Sequence, residues 1–149
     1  MKLHFLRSDR GASLVEFAIV APVLIFLLVG TIEVSRYAYY SILAANAARA
    51  GVQYGAQNTT TALDSTGITN AARADGQNLA AWTITPNHLC SVSGAAPAQC
   101  AVSSASPPTN TIYYVKVQVA GTFKSLMNYP GIPNNVPVSG SAIMRVVSQ

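Results

Sequence analysis

From Ala12 to Ile32 apolar residues run almost without interruption, and from Phe17 to Ile32 no side chain is charged. A helix needs about 20 such residues to cross a bilayer, so the run predicts a transmembrane helix over residues 12–32. One acid, Glu16, stands near the start of the run, where a carboxylate is costly to bury. Beyond Ile32 the segment Glu33–Ala50 lacks Pro and Gly and is rich in Ala, the best helix former. The helix is therefore expected to continue as an extracytoplasmic stem over 33–55, stopping between Gly51 and Gly55 ahead of Asn58. A helix from Ala12 to Tyr54 would be roughly 65 Å long, and about half of it would project from the bilayer. Pro22 removes one backbone bond and predicts a bend over Ala18–Pro22.

The stem carries small residues one turn apart, Ala44 with Ala48 and Ala47 with Gly51. Such pairs permit close approach by another helix or by the chain's own domain, and both readings stay open. Tyr37, Tyr39 and Tyr40 suit either a membrane interface or packing against the globular part. After the stem, Thr59–Thr66 reads as a polar linker and Ile68–Trp82 as a short second helix, with Ala71, Ala72, Leu79 and Ala80 on its apolar side. Thr83-Ile84-Thr85 reads as strand ending at Pro86, and Ser91–Val102 as a hairpin with a Gly/Pro-rich tip. Ser103–Asn110 is a Ser/Pro/Thr loop. In Thr111–Val119 the alternation of Val115, Val117 and Val119 with Lys116 and Gln118 is that of a half-buried strand. Phe123–Asn135, with two Pro-containing turns, reads as a long connection, and Val136–Val147 as a last strand paired with the Tyr113 strand. The expected fold is α+β: a long N-terminal helix, a short second helix and a small antiparallel β-sheet packed on the outer half of the long helix. A sheet so small needs that helix to bury its apolar face.

The chain has 149 residues, enough for one membrane segment and one small domain, expected over 56–149. Its formal charge is +4, of which Lys2, Arg7 and Arg10 against Asp9 contribute +2. Positive charge ahead of the span favours a cytoplasmic N-terminus, which places the domain on the extracytoplasmic side. The remaining Lys and Arg are scattered, so no nucleic-acid partner is expected. Cys90 and Cys100 could close a small disulfide loop in an oxidising compartment, or remain a pair of reduced thiols. The apolar run is longer than the 7–15 residues of a secretory signal and no A-x-A cleavage site follows it immediately, Ala48-Arg49-Ala50 being too far from its edge, so a retained anchor is favoured. No nucleophile with a base, no metal set and no phosphate loop is present, and Asp64 and Asp75 read as isolated surface acids. Neither an enzymatic activity nor a cofactor is expected.

A short basic leader ending in Gly11, followed by an apolar helix whose fifth residue is Glu16, resembles the prepilin class. Arg10-Gly11-Ala12, Val15-Glu16-Phe17-Ala18, Pro22, Gly30, Glu33, Arg36 and Asn46–Gly51 narrow the resemblance to the TadE-like proteins, minor pilins or pseudopilins of the tight-adherence (Flp) pilus system. Ser141–Val146 also looks like the closing strand of that family. The resemblance implies a leader over 1–11, removed by a prepilin peptidase between Gly11 and Ala12. It also implies residence in the bacterial inner membrane, and other pilin or pseudopilin subunits and an inner-membrane pilus platform as partners. A new amine at Ala12, on the same or a neighbouring subunit, could then neutralise Glu16 in low dielectric and set subunit register. Without the family, Glu16 reads equally well as an acid at the headgroup boundary. Glu33 and Arg36, three apart, could pair locally or with a neighbour's helix. The competing expectation is a membrane-anchored extracytoplasmic scaffold or binding module that never enters a fibre.

Overall fold

The structure, a computed structural model, describes residues 9–79, 81–99, 110–126 and 133–147. It has the α+β composition expected, and it divides into two compact units, Met1–Arg36 and Tyr37–Gln149. Helix α1 runs from Asp9 to Gly55 with Pro22 inside it. It is followed by α2 (Thr59–Leu63), α3 (Ser65–Asp75), a 3-10 turn (Gln77–Leu79), β1 (Thr83–Val92), β2 (Ala98–Gln99), β3 (Thr111–Lys124) and β4 (Asn135–Arg145).

In the first unit every large apolar side chain from Leu14 to Leu28 is exposed. A helix that is apolar on all faces requires an apolar surrounding, and α1 is long and apolar enough to cross a membrane. Its hydroxyls do not break the pattern. Thr31 donates to the Leu27 carbonyl and Ser35 to the Thr31 carbonyl, each at 2.8 Å, so neither presents an unmet donor.

The second unit is an antiparallel sheet of order β2-β1-β3-β4 with α1 from Tyr37 onward and α3 on one face. The alternation read from the sequence is the packing itself. Val115, Val117 and Val119 are fully buried and meet Ala44, Ala47, Ala48 and Val52 of α1, together with Ile68, Leu79, Trp82, Phe123 and Val138. Burial of each valine contributes about 1.5–3 kcal/mol. The small residues of the stem are therefore turned onto the chain's own sheet. An added Cβ at Gly51 would meet Ala72, Ile68 and Val117 at 3.3 Å, and one at Gly55 would meet Val115 at 3.1 Å. With Tyr37 against Phe123 at the other end, α1 lies along β3 in the opposite direction.

Several boundaries differ from the sequence expectation, each for a local reason. Thr59–Thr66 is not a linker. Asn58 caps α2, its side chain accepting from the Thr61 N–H at 2.8 Å while the Thr61 hydroxyl accepts from the Asn58 N–H at 3.1 Å. The second helix starts at Ser65, capped by Asp64, and ends at Asp75 because Gly76 closes it, so Trp82 lies beyond it. Strand β1 does not stop at Pro86, because that residue sits on the side of β1 turned away from β3, where a missing N–H breaks no bond. The hairpin after β1 turns at Ser93 and Gly94, both with positive φ, and its arms meet at Leu89–Gln99 and Cys90–Ala98. Ala101 and Val102 lie outside the described residues. Phe123 and Lys124 belong to β3, which makes the connection to β4 shorter than Phe123–Asn135. Strand β4 pairs with β3 along its whole length, as expected of the last strand, and ends at Arg145; the next residue, Val146, still bonds to Tyr113 of β3, and only Val147 turns away, to Ala56.

Candidate functional site

Gly11, Ala12 and Glu16 all lie on the exposed first part of α1. An added Cβ at Gly11 meets nothing within 4 Å, so no packing argument calls for glycine there. Ala12 and Glu16 are one turn apart on the same face, about 6 Å along the axis. The helix runs through the Gly11–Ala12 bond from Asp9, and the Ala12 nitrogen is an uncharged amide. Residues 1–8 of the expected leader lie outside the described residues.

Farther along the same unit, Arg36 donates from Nη1 to Oε2 of Glu33 at 3.2 Å. The two side chains are 30% and 4% exposed, so the carboxylate is the buried partner and the guanidinium reaches outward. A carboxylate in that position without a cation would carry a large desolvation cost.

The three tyrosines are not equivalent: Tyr37 and Tyr40 pack on rings of the globular part, and Tyr39 is exposed. Tyr40 stacks on Trp82 with ring centroids 6.1 Å apart and tilts against Phe123 at 5.7 Å. Tyr37 meets Phe123 edge-on at 5.9 Å, while Tyr39 lies edge-on to Tyr40 and is 54% exposed. Trp82 in turn covers Gly121, where any side chain would collide with the indole. These aromatic contacts join the start of the second unit's helix to the end of β3.

Asp64 is not an isolated surface acid. Its Oδ1 accepts from the Gly67 N–H at 2.8 Å, and its Oδ2 accepts from the Tyr54 hydroxyl at 2.9 Å. The Gly67 bond, with help from Tyr54, holds the carboxyl below its ordinary value, and the same bond to Asp64 pushes the Tyr54 hydroxyl up. The Asp-x-x-Gly spacing at the start of α3 was the available signal for this cap. Tyr54 lies ten residues upstream, so its contribution had no local signal. Cys90 lies on β1 opposite Ala98, and Cys100, with the expected disulfide, lies outside the described residues.

The segment that carries the prepilin-like positions has a counterpart among known families. Residues 11–53 match the TadE-like protein family. The match begins at Gly11, spans the apolar run and the Glu33–Arg36 pair, and stops two residues short of the end of α1. No curated protein and no solved structure matched the chain. A TadE-like segment on an N-terminal apolar helix points to a membrane-anchored, Tad pilus-related structural protein. The four-stranded sheet lies wholly outside the matched residues.

Proposed function

We propose that this chain is a minor pilin or pseudopilin that takes part in assembling a tight-adherence pilus, after prepilin peptidase removes residues 1–11. The observation that carries this reading is the coincidence of the TadE-like match with the helix holding Gly11, Ala12 and Glu16 in prepilin order. The precursor waits in the inner membrane with its N-terminus cytoplasmic and residues 33–149 in the periplasm. Glycine lets the protease approach the backbone without a side chain in the way. Cleavage then exposes an amine at Ala12, and Glu16 of the same or a neighbouring subunit neutralises it when the helices leave the lipid for the fibre. Sister pilins and the inner-membrane platform are the partners.

The test is the mature N-terminus. Mass spectrometry of the protein from its native membrane, with the pilus peptidase active, is expected to find Ala12 first. An intact leader would end the processing proposal. Immunogold labelling of sheared fibres then separates a fibre subunit from an anchored scaffold, since a scaffold leaves the fibres unlabelled.

A further inference from the structure

The sheet has two edges, and they are not equally open. The bonds from Val146 N to Tyr113 O (2.8 Å) and from Ser125 N to Asn134 O (3.1 Å) join residues directly opposite each other in the β3–β4 register. Bonded pairs alternate in an antiparallel ladder, so Val136, Val138, Gly140, Ala142 and Met144 face β3. The N–H and C=O groups of Ser139, Ser141, Ile143 and Arg145 then point to the free side of β4. Among the described residues no backbone bond reaches them, and the four side chains are exposed.

The same argument applied to β1 starts from the bond between Ser93 N and Asn110 O and turns Ile84, Pro86, His88 and Cys90 outward. There Pro86 interrupts the row of donors at its middle and β2 occupies Cys90. On β4 the proline is at the end: Pro137 stops the row, and Ser139, Ser141 and Ile143 follow as consecutive uncharged donors. Proteins ordinarily blunt such an edge with a charge or a proline within it.

We propose that the free edge of β4 from Ser139 to Arg145 is a strand-addition site for an extended segment of a partner chain, uncharged at its centre and acidic where it meets Arg145. Main-chain bonding supplies the affinity, and the charge sets the register. Residues 76–149 contain no Asp or Glu, and Lys116 sits on the same sheet face as Arg145, opposite Ile143. Among the described residues no acid of the sheet lies beside these cations, and an acidic group on the partner complements them.

A second copy of this chain does not complement the edge: its own β4 carries Arg145 and, like the rest of residues 76–149, no Asp or Glu.

The experiment uses the full-length chain in nanodiscs and a synthetic peptide alternating threonine and valine, with one terminal glutamate. Amide exchange at Ser139, Ser141 and Ile143 is expected to slow about tenfold when the peptide is present in excess, with Ile84 and His88 unchanged. Ser141→Pro should abolish the slowing, and Ser141→Ala should keep it. Unaltered protection of the Val146 amide shows that either variant is folded. Replacing the glutamate by lysine should weaken the effect. No slowing at millimolar peptide, or equal slowing in a folded Ser141→Pro, overturns the proposal. Protection that rises with the concentration of the chain alone also overturns it, by assigning the edge to a second copy.

Discussion

Gly140 of β4 lies directly against the backbone of Ala44 and Ala45 of α1, with no space for a side chain between strand and helix. The contact explains why the stem carries small residues: Ala44, Ala47 and Ala48 are fully buried, and larger groups would hold the helix off the sheet. Gly140→Ala should therefore destabilise the second unit by about 1–3 kcal/mol, since the obstructing atoms are main chain and cannot rotate away. Urea unfolding in detergent would measure this, and an unchanged midpoint would contradict the close approach.

Trp82 provides the optical probe for that experiment, because it is the single tryptophan of the chain and is buried against Tyr40 and over Gly121. Its emission is expected to shift to the red on unfolding. Phe123→Ala, which empties the other side of the same aromatic cluster, should cost about 3–5 kcal/mol. Tyr39→Ala, at an exposed position, should stay within about 0.5 kcal/mol of the parent. Equal losses from the two substitutions would refute the aromatic cluster as the place where these rings stabilise the fold.

The Asp64 cap gives a pH dependence of known sign. Its carboxyl is held below 3.8, so its stabilisation is complete above that value and is lost as pH falls through the lower value of the folded state. Tyr54 acts from the other side. Its hydroxyl is raised above 10.0, so its stabilisation is present below that value and lost as pH rises through the higher folded one. Asp64→Ala should lower the melting temperature at pH 7 and flatten the acid limb of the stability profile. An acid limb with the same shape in that variant would remove Asp64 as its source.

At the head of α1, an added methyl group at Gly11 meets nothing, so Gly11→Ala should leave the stability of the second unit unchanged. Under the proposed function it should nevertheless cause the uncleaved precursor to accumulate, because the bond to be cut also lies inside a helix that must open locally. Immunoblots resolving precursor from product would show this. Complete processing of Gly11→Ala would show that the glycine is not what the peptidase requires.

Glu16→Gln separates register from anchoring. The variant keeps the length and shape of the side chain, so insertion and cleavage are expected to persist while fibre formation drops severely. Normal piliation would leave Glu16 as a headgroup-boundary acid only.

The sequence by itself determined the long helix, its apolar span and the valine alternation of β3, because each of these is written in periodicities of a few residues that local geometry imposes. It also held the Asn58 and Asp64 caps, which became legible only once the helices they start were seen. The tertiary structure decided what lies between distant segments. It turned Ala44, Ala47, Ala48 and Gly51 onto the chain's own sheet, with Gly140 of β4 against the backbone of Ala44 and Ala45 and Val117 of β3 against Gly51. It carried β1 through Pro86, because a proline costs a strand nothing on the side where no neighbour accepts its bond. And among the described residues it left Ser139, Ser141 and Ile143 unpaired on the opposite edge. Which edge of a sheet is closed depends on strand order and register, and no run of adjacent residues encodes either.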